Sequence, residues 1–220
     1  MAALEQVRNA LDGFALSAHR VRPRDAPIGG LVVIQEIFGL TDHIAAICER
    51  FAAAGYECLA PSLFDRIEPG FHASHDPEGI KKGLEAVRAS PWEQVAGDVQ
   101  AAIDALPKPC YVTGFCYGGA VAWLAARRCT GLSAASCFYG RLIADMLDET
   151  PKIPVMLHYG AHDPGIPMDN VEQVRAATPH SPLYLYDAGH GFCREGSNDF
   201  HAPSRDLAVS RTLDWFARWR

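Results

Sequence analysis

Apolar positions along the chain follow two periods, one typical of buried strands and one of amphipathic helices. The run 30–36, GLVVIQE, is short and rich in β-branched residues, which predicts a buried strand. Val209, Leu213 and Phe216 lie on one face of a helix predicted at 204–219. The same patterns predict further strands at 14–22, 56–61, 110–115, 132–138, 154–159 and 183–187, and further helices at 42–54, 78–89, 92–106, 118–128 and 169–177.

The alternation of strands and helices predicts an α/β fold, with a mostly parallel central sheet and helices on both faces. No repeat or linker interrupts the pattern, so we expect one domain over residues 1–220. Asp42 is a candidate N-cap for the helix at 42–54. The segment 62–77 carries Pro, Gly, Ser, Asp and two His, and it predicts a long loop of the kind that is often functional.

Composition and charge narrow the class of protein. The chain has 220 residues and a net charge of -6 without a long basic run, which argues against nucleic acid or an anionic membrane as a partner. The first 13 residues include Glu5 and lack the apolar core of a signal peptide, and no apolar run approaches the roughly 18 residues of a membrane helix. The seven cysteines contain no C-x-x-C spacing. We therefore expect a cytoplasmic protein with reduced thiols. We also expect a monomer or a weak homo-oligomer.

One cysteine lies in an unusual setting. Cys116 stands within GFCYGG, at 114–119, between a predicted strand and a predicted helix. The plainer interpretation is a buried cysteine beside a tight turn. The alternative is a nucleophile elbow, in which flanking glycines let a sharp turn hold a reactive side chain above the sheet edge.

Three other strand ends carry candidate chemistry. Glu36 closes the strand at 30–36, Asp163 follows the strand at 154–159, and His190 follows the strand at 183–187. Each has a plainer interpretation: Glu36 could face solvent or cap a helix, and the other two could be turn residues. However, Cys116, Asp163 and His190 occur in the order nucleophile, acid, histidine that α/β-hydrolases use. This coincidence favours a catalytic triad.

A metal site is not predicted. His158 and His162 are four residues apart, but this spacing places two side chains together only on a helix, and Gly160 and Pro164 argue against one. His72 and His75 lie in the predicted loop at 62–77 and are expected to be solvated.

At these motifs the chain resembles the dienelactone hydrolase family. The motifs are QEIFG at 35–39, GFCYGG at 114–119, HYGAHD at 158–163 and AGHGF at 188–192, and the resemblance extends over about residues 10–219. It implies a cofactor-free esterase that opens small lactones through an acyl-thioester, with the dienelactone 4-carboxymethylenebut-2-en-4-olide as the named substrate. It also implies that Arg194, four residues after His190, holds a substrate carboxylate. A second cation would come from the region of Lys81, Lys82 and Arg88.

The roles of the triad follow from thiol chemistry. A thiol of ordinary pKa is only a few per cent thiolate at neutral pH and needs a base. His190 would be that base, and Asp163 would fix its tautomer. The backbone N–H groups of Ile37 and Tyr117 would form the oxyanion hole. The resemblance adds that Glu36 contacts the resting thiol and helps to deprotonate it when substrate arrives.

Three alternatives remain open on the sequence. The natural substrate could be another small ester or a thioester. Cysteine triads also occur in glutaminases and peptidases, although those relatives lack a glutamate at the position of Glu36. A non-catalytic ligand-binding protein could have kept the pocket.

Overall fold

The computed structural model describes residues 4–220. Residues 1–3, which belong to the predicted domain, lie outside the described residues. Eight strands form one sheet in the order β1-β2-β4-β3-β5-β6-β7-β8. The strands are β1 Glu5–Arg8, β2 Ala15–Val21, β3 Gly29–Ile34, β4 Tyr56–Pro61, β5 Cys110–Phe115, β6 Ala134–Phe138, β7 Val155–Gly160 and β8 Leu183–Tyr186. From β4 to β8 all neighbours are parallel, whereas β1 and β2 pair antiparallel at one edge.

Helices cover both faces of this sheet. They are α1 Asp42–Ala53, α2 Pro77–Arg88, α3 Trp92–Asp104, α4 Tyr117–Arg128, α5 Met168–Ala177 and α6 Ala202–Ala217, with a 3₁₀ turn at Arg141–Asp145. Helices α3 and α4 pack together on one face. On the other face, α1 packs on β4 and α6 on β6 and β7, and Arg50 of α1 pairs with Asp206 of α6 at 3.0 Å. The predicted α/β class, with a mostly parallel sheet, is confirmed.

Two local predictions were wrong or incomplete. The N-cap of α1 is Thr41, which has extended backbone angles, and Asp42 is the first helical residue, where its carboxylate faces the positive end of the helix dipole. Strand β1 was not predicted, because only Val7 of its four residues is buried and the pattern is too short to detect.

The predicted loop at 62–77 is present between β4 and α2, and it is held in place by hydrogen bonds. Asp65 accepts hydrogen bonds from Ser62 Oγ at 2.6 Å and from the backbone N–H of Gly70 at 3.0 Å. The N–H of Ala73 donates to the Phe38 carbonyl at 3.1 Å. The loop is therefore attached to the turn that follows β3 and carries Glu36.

Among the described residues, no helix has the length and apolar character that a bilayer crossing requires.

Candidate active site

The turn between β5 and α4 has the geometry of a nucleophile elbow. Cys116 has φ 55° and ψ −114°, a left-handed backbone that L-residues rarely adopt. At Gly118, a methyl group would lie 2.5 Å from the backbone carbonyl oxygens of Ile34 and Gln35, so a glycine is required there. The end of β3 therefore packs against the turn that follows β5. The residue with the strained backbone in this turn is Cys116.

Cys116 is also the cysteine that differs from the others in exposure. All seven cysteines are free thiols; six are buried, and Cys116 is partly exposed. Burial raises the pKa of the other six thiols and so suppresses their thiolates; these are Cys48, Cys58, Cys110, Cys129, Cys137 and Cys193. The twelve-residue helix α4 begins directly after Cys116, and its positive end favours negative charge on the sulfur.

His190 and Asp163 form a hydrogen-bonded pair beside the elbow. His190 Nδ1 donates to Asp163 Oδ2 at 2.6 Å, and Asp163 Oδ1 accepts from the backbone N–H of Gly165 at 2.7 Å. With both carboxylate oxygens engaged, Asp163 cannot rotate freely. Because Nδ1 carries the proton, Nε2 of His190 is left as the acceptor.

The loops that carry this pair are joined to each other. The N–H groups of Ala161 and His162 donate to the carbonyls of Tyr186 and Ala188, at 2.8 and 3.0 Å. Asp163 and His190 therefore stand on two connected strand ends.

The pKa of His190 is raised well above its ordinary value. Burial alone would lower the pKa, but the negative charge that Cys116 carries as a thiolate and the hydrogen bond with Asp163 outweigh it. The Cys116 thiol forms no hydrogen bond of ordinary geometry with His190, but it lies close enough for a negative charge on the sulfur to raise the pKa of the imidazole. When Cys116 is a thiolate, the protonated form of His190 is therefore favoured.

Glu36 neither faces solvent nor caps a helix. It is 1% exposed, and its Oε2 accepts from Arg194 Nη1 at 3.2 Å. Its Oε1 is buried without a hydrogen-bond partner among residues 4–220, and no hydrogen bond there joins Glu36 to the Cys116 thiol. The predicted contact of Glu36 with the resting thiol stays a prediction.

Arg194 lies at the site and not on the outer surface. Its side chain is 17% exposed, and its guanidinium carbon stands 5.2 Å from the centre of the Phe38 ring. Glu195, its neighbour in the chain, pairs with Arg205. The contact with Glu36 was not predicted.

The two predicted oxyanion donors have free N–H groups. Neither Ile37 N nor Tyr117 N donates a backbone hydrogen bond within the part of the chain that the structure describes. Gly83 of α2 approaches the Ile37 carbonyl so closely that a methyl group there would clash, so α2 buttresses this turn. The Tyr117 ring stacks between Phe64 and Trp92, at 5.5 and 5.9 Å.

Four other charged residues either bind groups outside the triad or are exposed. Lys82 binds Glu68 at 3.0 Å and the His72 carbonyl at 3.2 Å, whereas Lys81 and Arg88 are exposed on α2. Asp187, a second acid close to His190 in the sequence, is exposed and pairs with His162 at 2.6 Å.

His158 is a buried structural histidine. Its Nδ1 and Nε2 bond to Tyr186 OH at 2.8 Å and Ser136 Oγ at 3.1 Å. Burial, assisted by the charge of Arg211, lowers its pKa to about 3. Within residues 4–220, no cluster of three His, Cys, Asp or Glu side chains could hold a metal ion.

Two residues of the site were missed. Tyr139 follows β6, has φ 37°, and lies with its ring 5.2 Å from His190. Because β6 is the neighbour of β5, the strand-end rule applied to the other strands would also have indicated it. His75 was expected to be solvated; it is exposed, but its ring packs 4.3 Å from Phe38.

The sheet order, the elbow and the three aligned strand ends define an α/β-hydrolase. Comparison with known proteins narrows this class. The model of the dienelactone hydrolase family matches residues 16–219. The chain is 33% identical to the Escherichia coli K12 protein named "Putative carboxymethylenebutenolidase", over 94% of this chain and 84% of that protein. It is 28% identical to a carboxymethylenebutenolidase of Pseudomonas putida, with coverage of 94% and 92%.

The solved structures agree with the sequence relatives. The crystal structure titled "Putative Dienelactone Hydrolase" from Klebsiella pneumoniae superposes with a TM-score of 0.85 at 29% identity, and the match covers 99% of each chain. The chain belongs to the dienelactone hydrolase family, and the predictions of that family and of an ester hydrolase are confirmed.

Proposed function

We propose that this protein hydrolyses a small lactone or carboxylic ester through Cys116, His190 and Asp163, with an acyl-thioester intermediate. The observation that supports it most directly is the 2.6 Å hydrogen bond from His190 to Asp163, next to a cysteine held at φ 55°. This is the arrangement that a base-assisted thiolate requires.

The first step is attack on the ester carbonyl. His190 takes the proton of the Cys116 thiol, and the sulfur forms a bond to the carbonyl carbon while the carbonyl π bond opens to an oxyanion. The N–H groups of Ile37 and Tyr117 stabilise this oxyanion. When this tetrahedral intermediate collapses, the bond to the alkoxide breaks and His190 gives the leaving oxygen a proton. For a lactone the alkoxide stays attached to the acyl group, so the ring opens without loss of a fragment.

The second step releases the product. His190 takes a proton from water as the water oxygen attacks the thioester carbon. The carbon–sulfur bond then breaks, and the leaving thiolate recovers the proton from His190. Asp163 keeps the imidazole in the required tautomer throughout. The acid product and the free enzyme are then restored without a cofactor.

Glu36 and Arg194 extend this assignment to substrate binding and activation. Arg194 offers a charged, planar donor group beside the elbow, suited to a substrate carboxylate. Such a ligand would compete with Glu36 for the guanidinium. A Glu36 carboxylate that loses its partner in this way takes the proton of the Cys116 thiol and passes it on to His190. Until substrate binds, the thiol keeps its proton and is protected from oxidation.

The experiment replaces the nucleophile and compares it with a second thiol near the site. Cys116→Ala should abolish hydrolysis of p-nitrophenyl acetate and of small lactones. Cys193→Ala changes a buried thiol, and in this variant the acyl adduct should still form on Cys116. Circular dichroism checks the fold, and intact-mass analysis after an acid quench locates the adduct. Retention of most of the activity in Cys116→Ala would rule out the proposed nucleophile. Ammonia release from glutamine would favour a glutaminase instead.

A further inference from the structure

The charges at the substrate-facing edge of the site are balanced before a substrate arrives. Arg194 and the buried Glu36 form a pair with no net charge. On the proposed function, on which this inference rests, a carboxylated substrate adds a second negative charge beside the same guanidinium. Burying a charge without a compensating partner is costly. A carboxylated substrate therefore needs one more positive charge close to Arg194.

His75 is the side chain placed to supply it. Its ring packs 4.3 Å from the Phe38 ring, and the Arg194 guanidinium stands 5.2 Å from the centre of that same ring. His75 is exposed, so an incoming ligand can reach it. Its position is fixed, because Ala73 N donates to the Phe38 carbonyl and Asp76 caps α2 through Gly79 N at 2.8 Å.

Other cations nearby are less suitable. Lys82 is bound to Glu68 and to the His72 carbonyl, as described above. His43 of α1 faces the same group of charges, but its Nε2 is buried and burial lowers its pKa. His72, on the same loop as His75, is exposed and lines a different cleft, together with His19 and Leu40.

We propose that His75 takes up a proton when an anionic substrate binds, so that Arg194 and the protonated His75 together hold the substrate carboxylate. His75 is then a specificity-determining residue. It selects carboxylated esters over neutral ones, and it makes that selection depend on pH.

The electrostatic surroundings of His75 agree with this role. Partial burial and the positive charge of Arg194 lower its pKa, His72 lowers it further, and Glu36 opposes them. His75 is therefore neutral in the free protein at neutral pH. A bound carboxylate shifts the pKa upward, so affinity is highest at low pH. It falls by up to about tenfold per pH unit as the pH rises from the pKa of the free protein to that of the complex.

The test measures binding without turnover. In a Cys116→Ala background, calorimetry follows binding of 4-carboxymethylenebut-2-en-4-olide between about pH 6 and pH 8, in two buffers of different ionisation enthalpy. We expect proton uptake at neutral pH, and a Kd that rises about tenfold across the range. With His75→Gln added, the uptake should disappear and the Kd should become weak and independent of pH. With His75→Lys, binding should be tight and also independent of pH.

Matched variants decide between this inference and its rivals. His72→Gln, on the same loop, should behave like the parent protein. Uptake that persists in His75→Gln, or that His43→Gln removes instead, would overturn the assignment, as would an absence of binding by the carboxylated lactone. If the wild-type protein still cleaves neutral esters, such outcomes would contradict the role of His75 but not the proposed hydrolysis. Failure of this inference can therefore be distinguished from failure of the proposed function.

Discussion

The pair formed by Glu36 and Arg194 predicts a measurable coupling in stability. Arg194→Ala removes the partner of Glu36 Oε2, and Oε1 already lacks a partner among the described residues. The Glu36 carboxylate, which is 1% exposed, is then left without a side-chain hydrogen bond. Breaking a buried ion pair in this way costs about 3–5 kcal/mol. Since Arg194 keeps 17% exposure and water can partly replace it, we expect the lower end, about 3 kcal/mol.

Glu36→Gln should cost less than Arg194→Ala. The amide retains a hydrogen-bond acceptor for Arg194, and the charge left behind is a guanidinium with 17% exposure, which water can reach better than it reaches Glu36. The double variant should recover part of the loss, so the cycle should show a coupling free energy of about 1–3 kcal/mol.

Urea denaturation of all four proteins at neutral pH, followed by circular dichroism, measures these free energies of unfolding. Arg50→Ala is the matched control, because its pair with Asp206 is 39% and 54% exposed and should be worth no more than about 1 kcal/mol. If Arg194→Ala were no more destabilising than Arg50→Ala, or if the cycle showed no coupling, the electrostatic account of this pair would be wrong.

Three further predictions concern the triad, the elbow and the acid stability of the fold. His190→Ala should lower kcat by orders of magnitude, and Asp163→Asn by less, since the acid orients the base; equal losses in steady-state assays would contradict this division. Gly118→Ala should destabilise the protein by several kcal/mol in denaturation experiments, because its methyl group meets the Gln35 carbonyl; a loss below about 0.5 kcal/mol would refute the requirement for glycine. The His158 pKa is depressed to about 3, so its stabilisation is present above about pH 6.5 and is lost as the pH falls toward 3. In acid titrations, His158→Gln should show a shallower decline than the parent, and an unchanged slope would contradict the assignment.

The parallel strands could be predicted because each is a short, buried run bounded by turn residues. The same logic located Cys116, Asp163 and His190, since the carboxyl ends of neighbouring parallel strands meet at one edge. Strand β1 could not be found this way, because an edge strand of four residues with one buried side chain leaves almost no pattern.

The contacts between loops were beyond the reach of pattern analysis. Glu36 and Arg194 are 158 positions apart, and nothing local to either residue indicates the other. His75 was expected to be solvated because it lies in a predicted loop; it is exposed, but its ring packs against Phe38 of a different loop. Such contacts depend on how the loops fold over the sheet edge.

The attachment of the 62–77 loop to the turn after β3 has a consequence for the exchange of parts between relatives. The Ala73–Phe38 hydrogen bond and the backbone bridge between Gly39 and His72 tie the segment carrying His75 to the peptide that carries the Ile37 N–H. A 62–77 segment taken from another family member would place its backbone groups differently at these two contacts. Substrate preference and turnover would then change together, so a chimaera should exchange residues 35–39 and 62–77 as one unit.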